Sequence, residues 1–168
     1  MKHLLKNILF LLSVIPAMTL AAPPTQTKFL KSYSSASQEM TPELQTTSCT
    51  SKPIVKVPGK TITECRLNVG NSLLTIDSMN NQVTGVWLML DSQKLNPSSD
   101  LIRTGGMLIR AMRGSYYGDY LAVSASVFSA SSKKKWKEVC TDDKDSSSRV
   151  CVSSDDGNIF NMTLTPNL

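Results

Sequence analysis

The stretch that decides the fold is TITECRLNVGNSLLTIDSMNNQVTGVWLMLD, residues 61–91. Its first nine residues alternate between two sets of side chains with a period of two, which is typical of a β-strand. Gly70-Asn71 and Asn80-Asn81 are turn signals, because glycine and asparagine tolerate the left-handed backbone region. Turns this close together favour antiparallel hairpins. The stretch therefore predicts three antiparallel strands, at residues 61–69, 72–77 and 83–91.

The third of these strands carries apolar side chains on both of its faces, from Val86 to Leu90. A strand of this kind is typical of the middle of a sheet, where a helix covers at least one face. Helical spacing follows at Leu101, Ile102, Leu108, Ile109 and Met112. We expect this helix to start at Pro97 or Ser98 and to stop at Gly114.

Two features of the second half leave alternatives open. The Gly105-Gly106 pair lies inside the predicted helix, where each glycine costs about 1 kcal/mol relative to alanine. We interpret the pair as a close approach of the helix to the sheet, and the alternative is a hinge or ligand contact.

Residues 117–131 fit a helix or a strand, and the lysine-rich sequel favours a helix. Residues 149–153 and 158–165 are predicted strands joined by a hairpin turn.

Together these segments predict an α+β domain. The expected order is three strands, one or two helices and two more strands. The sheet is antiparallel with about five strands, and the helices cover one of its faces. Two disulfides complete the expected framework.

The N-terminus has the features of an export signal. Lys2 and Lys6 supply a short basic region, an uncharged run extends from Asn7 to Leu20, and Ala21 suits cleavage. The run is shorter than the ~20 residues that a membrane helix needs, so a cleaved signal peptide over residues 1–21 is favoured over an anchor. Cleavage lowers the net charge from +5 to +3, because two lysines leave with the leader. This charge is too small to indicate a nucleic-acid-binding protein.

Four cysteines, an even number, follow the leader, which favours disulfides in the periplasm or outside the cell. Three pairings are possible, and the local one, Cys49–Cys65 with Cys140–Cys151, is preferred because both loops are short and each pair flanks a predicted strand. Residues 22–48 are rich in Ser, Thr, Gln and Pro and predict a flexible leader. A single disulfide-bonded domain is expected over residues 49–168.

The residue types that are absent restrict the chemistry. The only histidine is His3, within the leader, so the mature chain has no imidazole for catalysis or for a metal site. Bridged cysteines leave no thiolate. No phosphate-binding loop, cofactor motif or zinc-type cysteine spacing is present. A calcium loop beginning at Asp143 is a weaker possibility, because residue 148 is serine where such loops have glycine.

Non-catalytic binding to another protein of the bacterial cell envelope is therefore the favoured function, as an inhibitor, an immunity protein or an accessory protein. The predicted contact surface is Arg113, Tyr116, Tyr117 and Tyr120, because arginine and tyrosine are enriched at interface hot spots. The alternatives are a histidine-free, carboxylate-dependent cell-wall hydrolase using Glu64, Asp77 or Asp91, and a secreted structural or virulence-type protein that works through its leader.

Overall fold

The fold was obtained as a computed structural model, which describes residues 22–91, 100–113, 124, 138–143, 147–155 and 159–166. The elements in chain order are α1 (Gln26–Met40), a 3-10 turn (Pro42–Leu44), β1 (Thr46–Pro53), β2 (Lys60–Leu67), β3 (Leu73–Met79), β4 (Gln82–Asp91), α2 (Asp100–Arg113), β5 (Val139–Asp143), β6 (Ser148–Asp155) and β7 (Ile159–Pro166).

The strands form one antiparallel sheet in the order β1-β2-β3-β4-β7-β6-β5. The predicted α+β class is confirmed, but the sheet has seven strands where about five were expected. The two additional strands, β1 and β5, are its two edges. Neither has an apolar alternation that a sequence pattern could detect, and every residue of β1 after Thr46 is exposed.

One face of the sheet, here called the inner face, carries the core. Its side chains include Cys65, Leu74, Ile76, Val86, Leu88, Val150, Val152, Met162 and Leu164, all of them buried. They form one cluster with apolar residues of α1 and α2. Because side chains alternate along a strand, the other set of residues defines an outer face.

The first helix corrects the expectation of a flexible leader over residues 22–48. Residues 26–40 form α1, and Phe29, Tyr33 and Ala36 are buried at helical spacing. The side chain of Thr25 caps the helix by accepting a hydrogen bond from the Lys28 amide at 3.3 Å. Polar composition alone indicated disorder, but the two buried aromatic side chains, Phe29 and Tyr33, lie one turn apart and pack in the core beneath the sheet.

Polar contacts also fix the start of α1 on the inner face. The Gln26 side-chain amide donates to Thr63 Oγ1 at 2.7 Å, and its carbonyl oxygen accepts from Ser78 Oγ at 3.0 Å. These bonds reach from the helix to β2 and β3. The Gln26 backbone amide also donates to the carbonyl of Asn81 at 2.9 Å. The start of α1 and the turn between β3 and β4 therefore lie at the same end of the sheet.

The predicted helix is present as α2, and its middle is buried on all sides, since residues 104–109 are consecutively buried. Thr41 Oγ1, just after α1, lies 3.3 Å from the Met107 sulfur. On another side, Ser124 Oγ donates to the Ile102 carbonyl at 2.8 Å. Ser124 is helical and is the one described residue of the segment 117–131, whose helix-or-strand assignment otherwise lies outside the described residues.

Both disulfides have the predicted pairing, Cys49–Cys65 and Cys140–Cys151. Each joins residues that lie directly opposite each other on neighbouring strands. The first connects the edge strand β1 to β2, and the second connects the edge strand β5 to β6. The bridges therefore hold the two strands that have only one neighbour each in the sheet. The predicted signal peptide, residues 1–21, lies outside the described residues.

Candidate contact surface

The outer face of the sheet is centred on Trp87. This residue lies on β4, the fourth of the seven strands, and its neighbours across the sheet are Thr75 on β3 and Thr163 on β7. Its side chain points away from the inner face, because Val86 and Leu88 on either side of it are buried there. Trp87 is nevertheless 45% exposed, so a large apolar ring in the middle strand remains accessible to solvent.

Gly85 lets the Trp87 ring lie close to the sheet. A Cβ atom built on Gly85 would be 3.4 Å from Cη2 and Cζ3 of the indole. The six-membered part of the ring therefore lies over the glycine, two residues back along the same strand. A side chain at position 85 would occupy the space beneath the ring. One face of the indole is thus supported by the backbone, and an accessible part is presented outward.

The outer face around Trp87 carries both apolar and polar side chains. Half-buried apolar residues that share the outer face with it include Ile62, Leu73, Met89 and Ile159, and the nearest of them are Met89 on the same strand and Leu73 opposite Met89. The exposed side chains of the same face are polar or charged and include Glu64, Arg66, Arg149, Asn161 and Thr165; of these, Asn161 and Thr165 flank Thr163 and so are diagonal neighbours of Trp87. Protein–protein interfaces likewise combine apolar and polar side chains, with aromatic residues enriched.

The second disulfide belongs to the same face. Trp87 lies opposite Thr163, Thr163 lies opposite Cys151, and Cys151 is bonded to Cys140. Two strand spacings, about 10 Å, separate the tryptophan from the bridge. The bridge therefore stiffens the β5–β6 side of this surface.

Arg113, which the sequence places in a contact surface, makes an internal ion pair at the end of α2. Its Nε donates to Asp143 Oδ2 at 2.8 Å, and its Nη2 pairs with Asp143 Oδ1. The two side chains are only 4% and 2% exposed. The guanidinium is thus engaged inside the domain, between α2 and β5. Tyr116, Tyr117 and Tyr120, the other residues of that predicted surface, lie outside the described residues.

The three carboxylates considered for catalysis do not converge. Glu64 and Asp77 are diagonal neighbours on the outer face, since Glu64 lies opposite Thr75. Asp77 also pairs with Lys60 at 3.3 Å. Asp91 is six residues along β4 from Gly85, the partner of Asp77, a separation of about 20 Å. A three-carboxylate site is therefore not assembled, and only Glu64 and Asp77 are near each other.

Two groups of potential metal ligands have other roles. Glu138 lies with Cys140 and Cys151 in a compact group whose ligand atoms are within 4.8 Å of one another. Both sulfurs are bonded to each other, so the group offers a single carboxylate and no thiolate. Asp143, the first residue of the possible calcium loop, is paired with Arg113. Asp145, which would follow it in such a loop, lies outside the described residues.

Comparison with known proteins adds no relative. No protein-family model, curated protein or solved structure matches the chain. Among the described residues, neither α1 nor α2 combines the length and the apolar character that crossing a bilayer requires.

Sequence reasoning missed Trp87 as a surface residue because it treated the third strand as apolar on both faces. The strand register contains the signal that was needed. Trp87 shares its face with Thr75 and Thr163, whereas Val86 and Leu88 share theirs with core residues. The register between neighbouring strands, and not the sequence of one strand alone, therefore identifies which apolar side chains face outward.

Proposed function

We propose that this chain is a non-catalytic, exported binding protein of the bacterial cell envelope, and that it acts through protein–protein contact at the outer face around Trp87. The observation that carries the proposal is the 45% exposure of Trp87 in the middle strand of the sheet. Tryptophan is the residue type most typical of interface hot spots, and hot spots lie near the centre of an interface.

The support for Trp87 makes it a suitable anchor for a partner. Its ring rests over Gly85 on a strand with neighbours on both sides, so little conformational freedom remains to be lost when a partner binds. Ordering a mobile side chain at an interface costs about 0.5–1.5 kcal/mol, and an anchor that is already held in place avoids much of this cost. The partner expected from this surface has a pocket or an apolar patch that covers the indole, surrounded by polar groups.

The proposed compartment follows from the leader and the cysteines. Residues 1–21 have the pattern of a cleaved signal peptide. All four cysteines are bridged, and disulfides persist in oxidising compartments such as the periplasm or the extracellular space. A role as inhibitor, immunity protein or accessory protein fits this location, and the identity of the partner decides among them.

Site-specific photo-cross-linking in the native host tests the proposal. A photoreactive amino acid replaces Trp87 in one variant and Thr50 in another. Thr50 is an exposed control at the edge of the sheet in the same cross-strand row, since it lies opposite Glu64. The proposal expects one envelope protein to be cross-linked from position 87 and not from position 50.

Matched alanine variants then distinguish the two candidate surfaces. Trp87→Ala is expected to abolish co-purification of the cross-linked protein, and the double variant Tyr117→Ala/Tyr120→Ala is expected to retain it. The opposite result would assign the contact to the tyrosines. If no protein is captured from position 87, or from a photoreactive amino acid placed at position 117, binding to a protein is the wrong function, and the hydrolase alternative with Glu64 and Asp77 becomes the one to assay.

A further inference from the structure

The turn between β1 and β2 presents two of the most exposed apolar side chains in the described part of the chain. Val55 is 94% exposed and Val57 is 39% exposed. Both lie in residues 54–59, here called the hairpin tip, which connects the end of β1 to the start of β2. An isolated exposed valine needs no explanation, but two exposed valines in one turn form a small apolar patch.

Backbone hydrogen bonds hold the hairpin tip in one shape. The Val57 amide donates to the Ile54 carbonyl at 2.9 Å, and the Lys60 amide donates to the Val57 carbonyl at 3.0 Å. The Ile54 amide donates to the Lys60 carbonyl at 2.9 Å, which closes the turn. The amide of Asn80 donates to the Gly59 carbonyl at 2.8 Å and so ties the tip to the next turn of the sheet. The valines are therefore presented by an ordered turn.

Several lysines lie at the same end of the sheet as the two valines. Lys56 lies between them in the sequence and is exposed, as is Lys52 near the end of β1. Lys60, at the start of β2, is one-third exposed and pairs with Asp77 at 3.3 Å. Lys28 is exposed in the first turn of α1, which begins at the same end of the sheet. Among the described residues, this end of the sheet thus combines two exposed valines with several lysines.

The predicted export signal joins the domain at this same end. The Pro24 carbonyl accepts a hydrogen bond from the Val83 amide at 3.0 Å, beside the turn that contacts the hairpin tip. Only residues 22–24 separate this point from the predicted leader, and three residues span at most about 10 Å. The predicted leader would therefore hold this end of the domain next to the bilayer for as long as it stayed attached.

We propose that the hairpin tip is a membrane-surface contact, in which Val55 and Val57 enter the headgroup region of an anionic bilayer and Lys52 and Lys56 pair with lipid phosphates. Each lysine near an anionic membrane surface contributes about a fivefold factor in affinity. A contact of two valines and a few lysines is reversible, so it would concentrate the processed protein at the membrane without anchoring it. This proposal is independent of the partner contact at Trp87.

Sedimentation with lipid vesicles tests the proposal on the processed protein. The probes are vesicles of phosphatidylethanolamine with phosphatidylglycerol, compared with vesicles of neutral phosphatidylcholine. Binding is expected to the anionic vesicles, and it should weaken as salt is added, since the lysine contribution is screened. Val55→Ser/Val57→Ser and Lys52→Gln/Lys56→Gln should each reduce binding by about tenfold or more.

Arg66→Gln is the matched control, because Arg66 is an exposed cation on β2 at the other end of the same hairpin. It removes one positive charge, where the lysine variant removes two, and should leave vesicle binding unchanged. Absence of binding to anionic vesicles, binding that survives the valine substitutions, or equal loss in Arg66→Gln would overturn the proposal. If the valine variants instead lose the protein partner and the wild type never binds vesicles, the hairpin tip belongs to a protein contact.

Discussion

Replacing Arg113 with methionine removes one partner of the buried ion pair between α2 and β5. The guanidinium and the Asp143 carboxylate share two hydrogen bonds, and their side chains are 4% and 2% exposed. At this burial, solvent screens the pair little, so each charge is stabilised by the other more than by water. The informative set of variants is Arg113→Met, Asp143→Leu and the double variant that carries both changes.

The expected magnitudes follow from leaving a charge buried without its partner. Each single variant should lower the free energy of unfolding by about 3–5 kcal/mol. The double variant should lose clearly less than the sum, because apolar replacement of a whole buried pair is often neutral or better. At roughly 2–4 °C per kcal/mol for a domain of this size, each single variant should melt about 10 °C lower.

Urea and thermal denaturation of the three variants measure these differences. Glu39→Gln is the control, because Glu39 forms an ion pair of 2.7 Å with Arg110 but is 59% exposed. That change should cost less than about 1 kcal/mol. Single variants that lose no more than this control, or losses at Arg113 and Asp143 that simply add, would refute the reasoning. Any loss of partner binding in an Arg113 variant should accordingly be no larger than the fraction of that variant that is unfolded.

Two further predictions concern stability. Burial raises the pKa of the Tyr33 phenol. The contribution of this group to the free energy of unfolding should therefore be fully present below about pH 10 and fall at higher pH, where the Tyr33 phenol ionises only in the unfolded chain. Tyr33→Phe should flatten this alkaline loss in a pH series of urea titrations and cost about 1–3 kcal/mol, because the buried Leu44 carbonyl loses its donor at 2.8 Å. Replacing either disulfide, Cys49–Cys65 or Cys140–Cys151, with a serine pair should cost about 3 kcal/mol. Hydrogen exchange should then increase first in the edge strand concerned, and equal increases across the whole sheet would contradict this.

The sequence predicted the centre of the sheet better than its margins. β2, β3 and β4 have alternating or continuous apolar side chains and clear turns, so their positions followed from the pattern alone. β1 and β5 are edge strands with mostly polar side chains, and their stability depends on pairing with a neighbour. The cysteines offered the missing signal, since a disulfide between two flanking segments also implies that those segments lie side by side.

Local composition misled the interpretation of α1. Its Ser-rich sequence has few bulky residues, yet Phe29, Tyr33 and Ala36 form one buried stripe after the Thr25 cap. The stripe acquires its stabilising value only from the sheet and from α2, which a local window of sequence does not include. The same limit applies to the surface. Whether Trp87 is exposed depends on which face of the sheet the helices cover, and helices on the other face would have buried it.

The affinity of the processed protein for the partner captured at position 87 tests the central claim most directly. Trp87→Ala should weaken binding by about thirtyfold or more, the threshold of a hot spot, with an unchanged melting temperature. Gly85→Val, which keeps the indole but fills the space beneath it, should also weaken binding. Affinities within about threefold of the wild type for both variants, measured on folded protein, would contradict the assignment of the outer face as the contact surface.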